Sequence, residues 1–381
     1  MKIITAMYTL RKGGSYERFV MLLEAFLERG CETHCLSLTP IPIKNRLFKN
    51  HIVCFPFKVR NDLIVKSLVL LLFPLYLLLI GWKEKIDLFV AFGPLYAFLQ
   101  SVPKWILKTK MVTLFRLDLS LGSKKLDKFD WLNRFIEFVA LLSSDRIITV
   151  NMGMKETIGK MFRKSKKFEL EVLFNNIPNL TLEIHQDNIQ NMMPWGNPGQ
   201  AKIIATSGVL TPRKNLEVLL HCLAKIEIKN LVLLIIGEGS KKSDFVYVDN
   251  LKREARKMKI DDKVIFTGWI GKKELFKVYK FVDAFILTSL KEGMPNALLE
   301  ALGCNVPCLG SNISGIQDIL YYDELMFDPL DEHSITKKIY RLLTEEKYSD
   351  YVNQLCQERK KAFTFDWKER VFQVVTKTFP S

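Results

Sequence analysis

The sequence predicts an α/β protein made of two doubly wound domains. The chain has 381 residues and 48% hydrophobic content, enough for two independent cores. Short β-prone runs alternate with helical patterns in both halves, the arrangement that yields parallel sheets covered by helices. Between the halves, residues 179–200 (NLTLEIHQDNIQNMMPWGNPGQ) lose periodicity and become rich in Asn, Gln, Pro and Gly, which marks an interdomain connector.

The first domain is expected over residues 1–178. Met1 to Ala6 reads as a strand, Arg11-Lys12-Gly13-Gly14-Ser15 as a glycine-rich turn, and Tyr16 to Arg29 as a helix. Further strands are expected at 87–92, 111–114, 146–150 and 171–174. The second domain, residues 201–360, has expected strands at 202–206, 231–236, 264–267, 282–290 and 306–309. The tail, 361–381, holds a helix from Phe365 to Phe379 with Trp367 near its start, and is expected to pack back toward the first domain. No fixed-period repeat is present, which excludes a solenoid. Open α/β sheets bind ligands outside the carboxyl ends of their strands. The two domains are therefore expected to face each other across a cleft, with Gly13-Gly14 on one side and residues 292–300 on the other.

Seven cysteines, an odd number scattered through apolar stretches, fit buried thiols in a reducing, cytosolic compartment. Their spacing does not suit zinc. None of the five histidines sits in a motif, so all five read as structural or surface groups. The net charge of +15 is uneven: residues 1–178 carry 28 Lys/Arg against 15 Asp/Glu, and residues 179–381 carry 28 against 26. The first half thus faces something acidic. Zinc-finger spacing, an RNA-recognition aromatic motif and a helix-turn-helix are all absent from it, which argues against nucleic acid and for an anionic membrane surface. Residues 63–82 (LIVKSLVLLLFPLYLLLIGW) are the most apolar stretch, yet Lys66 and Pro74 and a short uninterrupted core argue against a bilayer span. Two readings stand: a helix lying in the membrane interface, or a core helix of the first domain. Because the N-terminus opens directly on a strand, no signal peptide is expected. The expected location is cytoplasmic, peripheral on the inner face of the cell membrane.

Two segments carry candidate chemistry. In Ser289-Leu290-Lys291-Glu292-Gly293-Met294-Pro295-Asn296-Ala297-Leu298-Leu299-Glu300, Gly293 and Pro295 stop a strand and open a helix. Glu292 then lies in the loop and Glu300 on the helix. Met294 cannot cap, so the first-turn amides are open to an anion. The second segment, Ser207 to Asn215, follows the first strand of the second domain. Gly208 permits close backbone approach, and Arg213 and Lys214 place two cations where a pyrophosphate would need them.

With these motifs the chain resembles the retaining glycosyltransferases of family 4, which have the GT-B fold. The Gly13-Gly14 loop, the Gly208 to Asn215 loop, Gly237-Glu238-Gly239 and above all Glu292 to Leu302 match the family's recurring motifs. The resemblance implies that Glu292 contacts the donor sugar and stabilises an oxocarbenium-like transition state, while Glu300 binds the ribose. It implies that amides around Gly293, Met294, Pro295 and Asn296 hold sugar and phosphate, with Leu299 beside them, and that Lys214 and Arg213 stabilise the departing diphosphate. Gly13 and Gly14 would close the site. Neither a metal nor a cofactor is required beyond the nucleotide-diphosphate sugar itself. The basic first half and the apolar segment 63–82 suggest a lipid-linked saccharide or glycolipid as acceptor, as in surface polysaccharide assembly.

Three departures from the pattern stand out. Val209 occupies the place of the usual arginine, so either Arg213 substitutes for it or the phosphate grip is weaker. The first-domain histidine is missing from Leu114-Phe115-Arg116-Leu117-Asp118, leaving Arg116 and Asp118 as candidates for contact with the reacting sugar. Asn305 replaces a common glycine. Two other readings keep the fold: a nucleotide-sugar epimerase or hydrolase, against which the absent histidine counts, and a non-catalytic saccharide-binding subunit. A glycoside hydrolase would use paired carboxylates but not phosphate loops.

Overall fold

The computed structural model describes residues 1–8, 14–53, 62–116, 130–162, 168–178 and 201–377. The chain divides into two compact units: residues 1–174 with 366–381, and residues 175–365.

The first unit alternates strand and helix: β1 (Lys2–Met7), α1 (Gly14–Leu27), β2 (Glu32–Ser37), β3 (Phe48–Ile52), α2 (Asp62–Glu84), β4 (Leu88–Phe92), α3 (Pro94–Leu107), β5 (Lys110–Phe115), α4 (Asp130–Ser143), β6 (Arg146–Thr149), α5 (Met152–Met161) and β7 (Glu169–Val172). Its seven strands lie in the order β3-β2-β1-β4-β5-β6-β7, parallel throughout. Central strands such as β4 (LFVAF) are buried along their whole length, as parallel sheets covered on both faces demand.

The second unit follows the same logic: β8 (Lys202–Ser207), α6 (Leu216–Lys225), β9 (Leu231–Ile236), α7 (Lys242–Lys257), β10 (Val264–Gly268), α8 (Lys272–Tyr279), β11 (Ala284–Leu287), α9 (Asn296–Gly303), β12 (Cys308–Ser311), α10 (Ile316–Leu320), β13 (Met326–Phe327), α11 (Glu332–Thr344) and α12 (Glu346–Phe363). Its parallel sheet has the order β10-β9-β8-β11-β12-β13. The expected strand at 282–290 is cut to four residues, because beyond Leu287 the chain bonds to the loop after β8: the Thr288 hydroxyl donates to the Lys214 carbonyl at 2.9 Å.

The last helix, α13 (Trp367–Thr376), belongs to the first unit. Asp366 caps it by accepting from the amides of Lys368 and Glu369. Trp367, Val371 and Val375 are buried, and α13 packs on α1 through a Phe26–Phe372 ring contact and ion pairs of Arg29 with Glu369 and of Lys368 with Glu24. The unit boundaries differ from the expected ones. Residues 175–178 go with the second unit, where the Ile177 amide donates to the Phe363 carbonyl at 2.9 Å, and α12 runs on to Phe363. The expected connector, 179–200, lies outside the described residues.

β2 and β3 escaped the sequence reading because their residues (ETHCLS and FKNHI) are polar. His34 is fully buried on β2, its Nδ1 2.9 Å from Nε2 of His51 on β3 with the rings stacked, and its Nε2 3.1 Å from Glu32. Glu32, His34 and Glu84 offer atoms within 4.8 Å of one another, but the Lys49 ammonium lies 2.5 Å from Glu32 and 3.5 Å from Glu84 and supplies the positive charge there.

The apolar segment 63–82 forms most of α2. Val69, Phe73 and Leu77 make a buried stripe toward the unit, yet only 22% of Ser67–Glu84 is buried, at a mean hydropathy of 1.6. It is therefore packed along one face and open along the rest.

Candidate active site

All strands of the second sheet run parallel, so the loops after β8, β9, β11 and β12 meet at one edge. Glycines allow that convergence. At Gly237, φ is 124°, and a Cβ there would sit 2.0 Å from the Gly208 carbonyl oxygen, so no side chain fits. Gly208, with φ 134°, donates its amide to Ile236 at 3.0 Å, and Leu210 donates to Glu238 at 2.9 Å. The loops after β8 and β9 thus run backbone to backbone. At Gly315 a Cβ would meet the Gly293 carbonyl oxygen at 2.0 Å, which brings the loop after β12 equally close to the loop after β11.

Lys214 and Glu292 are separated by 78 positions yet form a buried ion pair, Nζ to Oε1 2.7 Å. The Ser289 hydroxyl donates to the same oxygen at 2.9 Å. A short 3₁₀ turn, Pro212–Lys214, presents the lysine, and Lys214 Nζ packs so closely on Gly208 that a Cβ there would lie 3.3 Å away. Arg213 is exposed beside it, and its carbonyl accepts from the Leu290 amide at 2.8 Å. Burial pushes the Glu292 carboxyl up, but the Lys214 charge and hydrogen bond, Arg213 and Ser289 together hold it below the usual carboxylate range.

α9 begins at Asn296 after Pro295, and no side chain caps it. Met294 is buried, and Leu299 is fully buried with its side chain in the core of the unit. Glu300 is half-buried, 3.6 Å from Lys272. One further residue fixes this corner. Asn175, fully buried, donates from Nδ2 to the Asn296 Oδ1 at 2.9 Å and to the Met294 carbonyl at 3.3 Å. Sequence reasoning missed it; the only local signal is the Asn175-Asn176 pair following an expected strand.

The structure therefore brings Gly208, Arg213, Lys214, Glu292, Gly293, Met294, Pro295 and Asn296 to one corner, with Glu300 on the helix that leaves it. Gly14 opens α1 in the first unit, while Gly13 and Asp118 lie outside the described residues. Arg116 follows β5 with its guanidinium 5.0 Å over the Phe92 ring, its pKa lowered by burial and the Arg18 charge. Trp269 stands exposed after β10. In chemical terms the corner offers an ammonium, a carboxylate held ionised, and a helix N-terminus that no side chain caps, a set suited to a phosphorylated ligand whose leaving group becomes anionic.

Residues 187–359 match the family model described as glycosyl transferases group 1. Over 223 residues the chain is 25% identical to an uncharacterized glycosyltransferase of Methanocaldococcus jannaschii, covering 57% of this chain and 55% of that protein. Over 158 residues it is 28% identical to the UDP-Gal:alpha-D-GlcNAc-diphosphoundecaprenol alpha-1,3-galactosyltransferase of Escherichia coli, covering 40% of this chain and 39% of that one. These matches span about half of such relatives or less. The sucrose-phosphate synthase of Thermosynechococcus elongatus has the same fold, with a TM-score of 0.79 at 17% identity over 99% of both chains.

Proposed function

From the match of residues 187–359 to the family model of group 1 glycosyl transferases we propose that the chain is a retaining, family 4-type hexosyltransferase using a nucleotide-diphosphate sugar. The observation that carries this reading is the buried Lys214–Glu292 pair beside the uncapped start of α9. The bond between the anomeric carbon and the diphosphate oxygen breaks, and its electron pair leaves with the diphosphate. Lys214, Arg213 and the first amides of α9 stabilise that charge, which is why no metal is needed. In this reading Glu292 holds the sugar and offsets positive charge developing on the ring. Glu300, on α9, takes the ribose. The acceptor hydroxyl bonds to the anomeric carbon on the face the diphosphate leaves, and its proton passes to the departing oxygen.

The acceptor in this proposal is a lipid-linked saccharide or glycolipid of surface polysaccharide assembly, met at the inner face of the membrane. The diphosphoundecaprenol acceptor named for the Escherichia coli relative supports it, as does the basic, apolar first half of the chain. The test is incubation with UDP-, GDP- and ADP-sugars, with membrane extract as acceptor, in parallel with and without EDTA. A glycolipid product that keeps the donor's anomeric configuration is expected. Release of free sugar alone, epimerised donor, or complete loss of turnover in EDTA would each contradict the proposal.

A further inference from the structure

The first unit has an outward apolar face that spans three helices. On α2, Leu71, Leu79 and Trp82 point away from the buried Val69–Phe73–Leu77 stripe and are 66%, 61% and 75% exposed. α3 packs between α2 and α4. Its end closes tightly on α2, where a Cβ at Gly81 would lie 2.6 Å from Leu107, and its Trp105 is exposed. α4 repeats the pattern. Trp131 and Phe135, one turn apart, are both more than half exposed, and Phe135 meets Phe98 of α3 edge-on. Ordinary helices on a sheet turn their apolar stripe inward; these three carry a second stripe outward.

The charge around this face is sorted. From Ser67 to Trp82, α2 has no charged residue, and Lys104 is the only one in α3. Cations gather at the shared ends of α2 and α3, where Lys83, Lys85 and Lys108 are exposed next to Trp82 and Trp105. An apolar field with tryptophan and lysine at its rim matches the layering of a bilayer surface: acyl chains, then interface, then anionic headgroups. The +13 balance of residues 1–178, against +2 for the rest, carries the same sign.

We infer that the α2–α3–α4 face docks in the plane of an anionic membrane, with the aromatic side chains at the headgroup boundary. The inference deepens the reading that the acceptor is membrane-borne: docking would be through a three-helix platform rather than through the α2 segment alone.

The experiment is co-sedimentation of the full chain with vesicles of phosphatidylcholine alone and of equal parts phosphatidylcholine and phosphatidylglycerol. Binding to the mixed vesicles is expected to be about tenfold tighter or more, and to weaken with salt. The double substitutions Leu79→Ser with Trp82→Ser on α2, and Trp131→Ser with Phe135→Ser on α4, should each weaken it by about tenfold or more. Circular dichroism and the thermal shift with sugar nucleotide are expected to match the parent. Failure of the parent chain to bind the mixed vesicles would overturn the inference. So would an α4 variant that binds like the parent, because α2 alone would then suffice. A dimer detected by light scattering and abolished by the same substitutions, without vesicle binding, would make the face a self-interface instead. The sugar-nucleotide shift is read in the same samples: its absence in the parent would sink the transferase proposal and leave the vesicle result standing.

Discussion

At the scale of single residues, the buried Lys214–Glu292 pair is a structural element and, in the proposed reaction, a chemical one. Two buried charges of opposite sign tolerate each other, but one alone does not: removing a partner from such a pair costs about 3–5 kcal/mol. Glu292→Gln is the informative substitution because it keeps the shape and the bond from Lys214 while removing the charge. We expect kcat for sugar transfer to fall by about 10²-fold or more, with a smaller loss of thermal stability, measured side by side. Wild-type turnover would mean that Glu292 merely anchors Lys214. Glu292 and Lys214 were legible in the sequence, since glycine and proline punctuation put both in loops after strands. Their mutual contact was not, because 78 residues separate them and no local pattern encodes it. Asn175 was illegible for a related reason: a buried asparagine acquires meaning only from the carbonyl and amide it faces, here those of Met294 and Asn296.

At the scale of elements, β2 and the edge strand β3 hold a pH-sensitive contact. Burial lowers the pKa of His34, partly opposed by its bond to Glu32; burial and the neighbouring His34 lower that of His51. Lys49 and Glu84 also face the pair. Because both folded-state values lie below the unfolded value of about 6.5, the unfolded chain takes up protons first as pH falls. The stabilisation is therefore complete above about pH 6.5 and is lost as pH drops below it. Urea unfolding between about pH 5 and 8 should show this slope, and His51→Gln should flatten it; an unchanged slope would assign the proton uptake to other groups. Elements with strong apolar runs, such as β4 and β9, were read correctly from sequence. β2 and β3 were not, because the buried polar residues of β2 and the half-exposed polar residues of β3 mimic a loop until cross-strand partners satisfy them.

At the scale of the whole molecule, two units with separate cores share one chain, and the proposed nucleotide-sugar chemistry falls on the second of them. A donor that binds only the folded state stabilises it by about 2.7 kcal/mol at a hundredfold excess over Kd. We expect one of the UDP-, GDP- or ADP-sugars to raise the melting temperature of the intact chain, and Glu300→Ala to reduce that rise. No shift with any of them would count against a donor site at the α9 corner. The sequence by itself determined the two α/β units, the strand-to-helix corner between Glu292 and Glu300, and the basic loop before α6. All three rest on periodicity and turn residues, which act over a few positions. Only the tertiary structure decided that Lys214 meets Glu292, and that α2 and α4 turn apolar stripes outward. A helical repeat specifies a stripe, but which side it faces depends on what the rest of the chain places against it.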